Sequence, residues 1–116
     1  MKELFLSHKQ SKDLRELGFD EICLTHWWGE DLLNGAYGGW MKNSNTEYIM
    51  APTWEQAFDF FRKKDFYISI QKLNNLGFSV YLYSEEKEEK LENIFSSWEE
   101  ARLGALIKLI QIYKNN

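Results

Sequence analysis

Cys23 and His26 come nearest, among the residues of this 116-residue chain, to a metal or nucleophilic site. Their C-x-x-H spacing supplies two zinc-type ligands, and His8 is the only other histidine. A structural zinc site needs about four convergent ligands. On a strand, residues 23 and 26 point to opposite faces, which also argues against a Cys–His nucleophile pair. We therefore predict structural roles for both residues, with no metal and no cofactor.

Glu30 and Asp31, beside His26, form a second candidate, an acid–base cluster at the end of a strand. The pattern has little specificity, because acidic loop residues are common and no second catalytic element lies nearby. The Asn-Gly and Gly-Gly pairs that follow match neither G-x-x-x-x-G-K-[ST] nor G-x-G-x-x-G, the spacings of phosphate-binding loops. We predict that the protein is not an enzyme.

Aromatic residues are the remaining groups that could form a binding site. They make up 16% of the chain, more than a small core needs, so some should lie at the surface or at an interface. Tyrosines on strands could stack bases, but the RNA-binding motif and surrounding basic residues are absent. The candidates form two sets, one around a loop and one on a sheet face: Trp27, Trp28, Tyr37 and Trp40, and then Tyr67, Tyr81 and Tyr83.

Charge and cysteine content exclude several classes of protein. The net charge is −4, with 14 basic and 18 acidic residues, which argues against a nucleic-acid partner. Cys23 is the only cysteine, so an internal disulfide is excluded and a reducing compartment is favoured. No apolar stretch of about 18 residues and no secretory signal is present, so we expect a cytoplasmic protein without a membrane partner.

Three capping boxes, each a Ser or Thr followed three residues later by Gln or Glu, predict three helices. The first opens at Ser7, runs over about His8 to Leu17 and ends at Gly18. The second opens at Thr53, and its apolar side chains recur at helical spacing from Trp54 to Phe61. The third runs over about Trp98 to Lys114, with an apolar arc wide enough to be buried on more than one side.

Period-two patterns predict the strands. One strand spans Glu21 to Trp28, and a short one spans Glu47 to Met50. Between them, Gly29 to Thr46 is rich in glycine and asparagine and is a functional loop, a disordered segment or a short hairpin. A hairpin joins Phe66–Lys72 to Phe78–Ser84, and the following charge run, residues 85 to 92, is predicted to be a solvated connection.

The hairpin pattern places its aliphatic side chains on one face and Tyr67, Tyr81 and Tyr83 on the other. The helices should cover the aliphatic face, and no strongly apolar helix remains for the tyrosines. Tyrosine suits a surface that is buried only part of the time. We hypothesise that this face, with Trp27 at its edge, contacts a second copy or a target protein, a homodimer being the simplest form.

Three segments carry a resemblance to a known family. ELFLSHKQSKDLRELGFDEICL, APTWEQAFDFFRKK and SSWEEARLGALIKLIQIYK resemble a family of small uncharacterised proteins from Bacteroidetes genomes and their phages or other mobile elements. The shared motifs are LGFDE, QAF-x-(W/F)-F-R and (T/S)-(Y/W)-EEA, and the region from Trp27 to Asn45 matches least. The resemblance implies an origin and a coherent fold, and it transfers no functional residue.

Together these observations predict a single α+β domain over residues 1–116. Its sheet is three- or four-stranded and mainly antiparallel, with helices packed on one face. The favoured function is a non-enzymatic protein-interaction module of a phage or mobile element. The alternative is a small-ligand or nucleotide-binding protein that uses Trp27, Trp28, Tyr37 and Trp40 as stacking groups.

Overall fold

The computed structural model describes residues 4–21, 23–28, 31–34, 48–86 and 88–115. The chain divides into two compact units, Met1–Phe60 and Phe61–Asn116, and each is described by itself. The described elements are three helices and two three-stranded antiparallel sheets. The predicted α+β class and antiparallel pairing are thus confirmed, with two sheets of three strands in place of one. The single-domain assignment stays a prediction.

The first unit contains α1 (His8–Glu16), β1 (Thr25–Trp28), β2 (Asp31–Asn34), β3 (Tyr48–Ala51) and the start of α2 (Trp54–Arg62). Its sheet has the order β2-β1-β3, with β1 in the centre and antiparallel to both neighbours. α1 packs against β3. The core cluster that holds the sheet consists of Phe5, Trp27, Ile49 and Ala51, with Leu32 packed against it.

The region predicted as a long loop begins with a strand. Trp28 lies opposite Asp31, so only residues 29 and 30 separate β1 from β2, and the short hairpin among the predicted alternatives is present. Residues 35–47 lie outside the described part of the chain. β1 itself begins at Thr25, later than predicted, and the preceding Leu24 is 77% exposed.

The predicted caps of α1 and α2 are confirmed. The Ser7 hydroxyl accepts a hydrogen bond from the Gln10 backbone N–H, and Gly18 ends α1 with a φ of 105°. At the start of α2, the Thr53 hydroxyl accepts from the Gln56 N–H at 3.1 Å. The Gln56 side chain accepts from the Thr53 N–H at 3.0 Å, which completes a reciprocal capping box.

The second unit contains the end of α2, β4 (Tyr67–Lys72), β5 (Phe78–Tyr83), β6 (Glu88–Lys90) and α3 (Trp98–Lys114). The β4–β5 hairpin has the predicted alternation, with Ile70 opposite Val80. α3 packs against β5 and β4, and Val80 and Leu82 are buried beneath it. The predicted aliphatic face is therefore the face that carries a helix.

α3 has the predicted bounds but a narrower buried surface than its composition suggests. The buried side chains cover about half of the helix circumference, because Ala101 and Ile110 lie about 180° apart around the axis. Leu103 and Ile107, beyond the edge of this arc, are 37% and 40% exposed. The helix is therefore buried over a wide arc, as predicted, but not over the whole of its apolar surface. The buried residues are Ala101, Ala105, Leu106, Leu109 and Ile110.

Candidate functional site

Cys23 and His26 are both 2% exposed, which places them in the interior. The Cys23 thiol donates to the Glu21 carbonyl, with the sulfur 3.5 Å from the oxygen. Burial, with a smaller contribution from the Glu21 charge, raises the pKa of the Cys23 thiol to about 12. A thiol held in its neutral form is a poor nucleophile and a poor metal ligand, which favours a structural role for Cys23.

Acidic groups were the other candidates for chemistry. Asp31 lies in β2 and is exposed, whereas Glu30 lies outside the described residues. In the described part of the chain, no three His, Cys, Asp or Glu side chains are grouped so that they could hold a metal ion.

Trp27, predicted as a ligand-stacking or edge residue, lies in the core of the first unit. It is 7% exposed, and its indole Nε1 donates to the Leu6 carbonyl at 3.1 Å. The His8 ring contacts it edge-on with 6.1 Å between centroids. These contacts give Trp27 a structural role. The side chain of Trp28 and the whole of Tyr37 and Trp40 lie outside the described residues.

The three tyrosines of the second set share one face of the β4–β5–β6 sheet. Tyr67 and Tyr83 are paired across β4 and β5, and their rings stack with centroids 6.1 Å apart and an interplanar angle of 18°. Each is 40% exposed. Tyr81 is half-buried, and the Lys90 ammonium lies 5.6 Å from the centre of its ring. The predicted clustering of these tyrosines is therefore present.

The charge run after β5 corrects one prediction. Residues 88–90 form β6, the edge strand of this sheet, with Tyr83 opposite Glu88 and Tyr81 opposite Lys90. A charged edge strand is common, because its backbone pairs on one side while its side chains remain in water. The tyrosine face therefore also carries one acidic and one basic side chain.

A cleft that sequence reasoning missed lies between β6, the residues after it, and α3. Its volume is about 560 Å³, and we call it the β6–α3 cleft. Leu91, Glu92 and Phe95 line it from the strand side, and Gly104, Ile107 and Lys108 line it from the helix side. Its one sequence signal was Gly104, since a glycine within a helix costs about 1 kcal/mol relative to Ala and indicates a packing reason.

A bulge in the edge of the sheet shapes this cleft. Tyr81 pairs with Lys90, and Phe78 forms two backbone hydrogen bonds with Phe95, at 2.8 and 2.9 Å. The two β5 residues between Phe78 and Tyr81 therefore lie opposite four residues, 91–94, of the neighbouring segment. The extra residues leave the ladder as a bulge, a feature that often adjoins functional sites. The bulge turns residues 92 and 93 toward the cleft.

Comparison of the chain with protein-family models, with curated proteins and with solved structures finds no match. Among the described residues, no helix has both the length and the apolar character needed to cross a membrane.

Proposed function

We propose that this protein is a non-enzymatic interaction module whose tyrosine face, formed by Tyr67, Tyr81 and Tyr83, binds a second copy of the chain. The observation that carries the proposal is the exposed stacked pair of Tyr67 and Tyr83, on the sheet face opposite α3. Tyrosine is enriched at interfaces because its ring offers apolar area while its hydroxyl tolerates water.

A second copy is the favoured partner because the tyrosine face carries both an acidic and a basic side chain, which can pair with the opposite charges on the same face of another copy. Glu88 and Lys90 lie beside Tyr83 and Tyr81 on the same face. Under a two-fold axis that lies in the plane of the interface and crosses the strands, Glu88 of one copy can approach Lys90 of the other while the tyrosines meet at the centre. A single patch then supplies both halves of the interface.

The cellular compartment and the biological origin of the protein are part of the same proposal. The lone Cys23 favours a reducing compartment such as the cytoplasm, and the LGFDE, QAF-x-(W/F)-F-R and (T/S)-(Y/W)-EEA motifs support an origin in a phage or mobile element of Bacteroidetes.

Native mass spectrometry of freshly purified protein, together with light scattering after size exclusion, tests the proposal. We expect the wild type to have the mass of a dimer and Tyr81→Ser/Tyr83→Ser to have that of a monomer with an unchanged circular dichroism spectrum. Leu76→Ser removes a similar exposed apolar side chain from the β4–β5 turn, where Leu76 is 74% exposed, and should leave the dimer intact.

Two results would count against the tyrosine face. One is an unchanged dimer mass in the double variant. The other is a wild-type monomer at concentrations up to about 100 μM, where a biologically useful self-association should be visible. A wild-type monomer that retains a small molecule through purification would instead support the ligand-binding alternative.

A further inference from the structure

The β6–α3 cleft offers a backbone edge as well as a cavity. β6 ends the strand order β4-β5-β6, so in the described part of the chain its outer edge has no strand partner. Glu89 and Lys90 point to opposite faces of the sheet, yet both border the cleft. The cleft therefore reaches the free edge of the strand, where an extended peptide could add as a further strand.

The inner part of the cleft is apolar. The Phe95 ring lies directly against Gly104, where the missing side chain makes room for it. Ile107 lies one turn further along α3, borders the same space and is 40% exposed. A volume of about 560 Å³ lies within the range of about 300–1,000 Å³ that is usual for ligand sites. This part of the cleft can accept a bulky apolar side chain.

The strand wall of the cleft is acidic. Glu89 and Glu92 line it together with one cation, Lys90, whose ammonium lies 5.6 Å from the centre of the Tyr81 ring on the other face of the sheet. The segment from Glu85 to Glu92 holds five glutamates against two lysines. Lys108, the cation of the helix wall, lies 3.6 Å from a Glu89 carboxylate oxygen and so neutralises one of these charges. Glu92 is exposed and remains available, which favours an occupant with positive charge.

We propose that the β6–α3 cleft binds an extended peptide segment of a partner protein, in which a bulky apolar residue is flanked by Lys or Arg. The peptide backbone pairs with the outer edge of β6. The apolar side chain enters the space beside Phe95 and Ile107, and a basic side chain meets Glu92. This site shares only Lys90 with the tyrosine face, and it does not depend on the proposed self-association.

The probe is a phage-displayed library of random heptapeptides, selected against the full chain. Enriched sequences are synthesised with a fluorescent label, and their affinities are measured by anisotropy. We expect the selected peptides to combine Leu, Ile, Phe or Met with a neighbouring Lys or Arg. Selection of acidic peptides, or no enrichment over a bare support, would overturn the proposal.

Matched variants of α3 locate the bound peptide. Ile107→Ser should weaken binding by about tenfold, as the loss of an anchor contact does. Leu103→Ser is the control, because Leu103 lies one turn away on the same helix, is similarly exposed and does not line the cleft. It should change the affinity by less than about twofold, within the usual range for neutral surface contacts.

Charge variants give a second control. Glu92→Lys should weaken binding several-fold, whereas Glu86→Lys, at an exposed position that does not line the cleft, should have a smaller effect. Tyr81→Ser/Tyr83→Ser should retain the peptide affinity of the wild type, which separates this proposal from the dimer. Equal binding to Ile107→Ser and the wild type, or loss of binding in the tyrosine variant, would show that the peptide binds elsewhere.

Discussion

The tip of the Phe95 ring lies directly against Gly104 of α3. A Cβ placed at Gly104 would lie 2.7 Å from Cε1 of the Phe95 ring and closer still to Cζ. Real Cβ atoms almost never approach so closely, so a side chain at position 104 requires the ring to move. Phe95 is also held by its two backbone hydrogen bonds to Phe78.

Gly104→Ala should therefore destabilise the fold, although Ala is the better helix former. The propensity gain is about 1 kcal/mol, whereas overpacking costs about 1–3 kcal/mol, so we expect a net loss of about 1 kcal/mol. Urea unfolding measures the change. Gln111→Ala, at an exposed position of the same helix, should be nearly neutral. A Gly104→Ala variant that is more stable than the wild type would show that the ring moves away without cost.

Phe58 should contribute more to stability than Phe60, its neighbour on α2. Phe58 is 8% exposed and stacks with Trp54 at 6.0 Å between centroids. Phe60 is half-buried and has an edge contact with Phe19. Phe58→Ala should cost about 3–5 kcal/mol and Phe60→Ala clearly less. Chemical denaturation of both variants compares them, and equal or reversed losses would contradict the assigned helix face.

The buried Cys23 thiol should make stability fall in alkaline solution. Its pKa is raised from an ordinary value of 9.0 to about 12, so between these values the unfolded chain binds fewer protons than the folded chain. The contribution of this thiol to the free energy of unfolding is therefore fully present below pH 9 and is lost as the pH rises toward 12. The free energy of unfolding falls by up to about 1.4 kcal/mol per pH unit in this range.

Cys23→Ser lacks this titration, so the difference in stability between the wild type and the variant should shrink from about pH 8 to about pH 10.5. Taking the difference cancels the tyrosines and lysines that titrate in the same range. Parallel pH profiles for the two proteins would mean that the Cys23 thiol reaches solvent in the folded state.

Local features of this fold could be predicted because their causes lie within a few residues. A Ser or Thr and a Gln or Glu three positions later meet at a helix start in any surroundings, so Ser7, Thr53 and Ser97 were recognisable as caps. Period-two alternation likewise places Tyr67 and Tyr83 on one face and Val80 and Leu82 on the other. The candidate tyrosine face follows directly from this period.

Other features depended on contacts between distant residues, and the local pattern predicted them poorly. The charged residues 88–90 have no strand propensity of their own, and they form β6 because β5 offers a backbone edge to pair with. Leu103 and Ile107 read as core residues, yet they are exposed because α3 covers a sheet on one side only.

By itself, then, the sequence determined the helix caps, the alternation of side chains along the hairpin strands and the shared face of the tyrosines, since each depends on spacing along the chain. Only the tertiary structure decided that Trp27 is buried, because its indole N–H donates to the Leu6 carbonyl, which lies 21 residues away in the chain. It also decided that a cleft lies beside Gly104. That cleft depends on two features: the bulge opposite β5 and the contact between the Phe95 ring and the helix. Each feature joins separate segments of the chain, so no single segment predicts it.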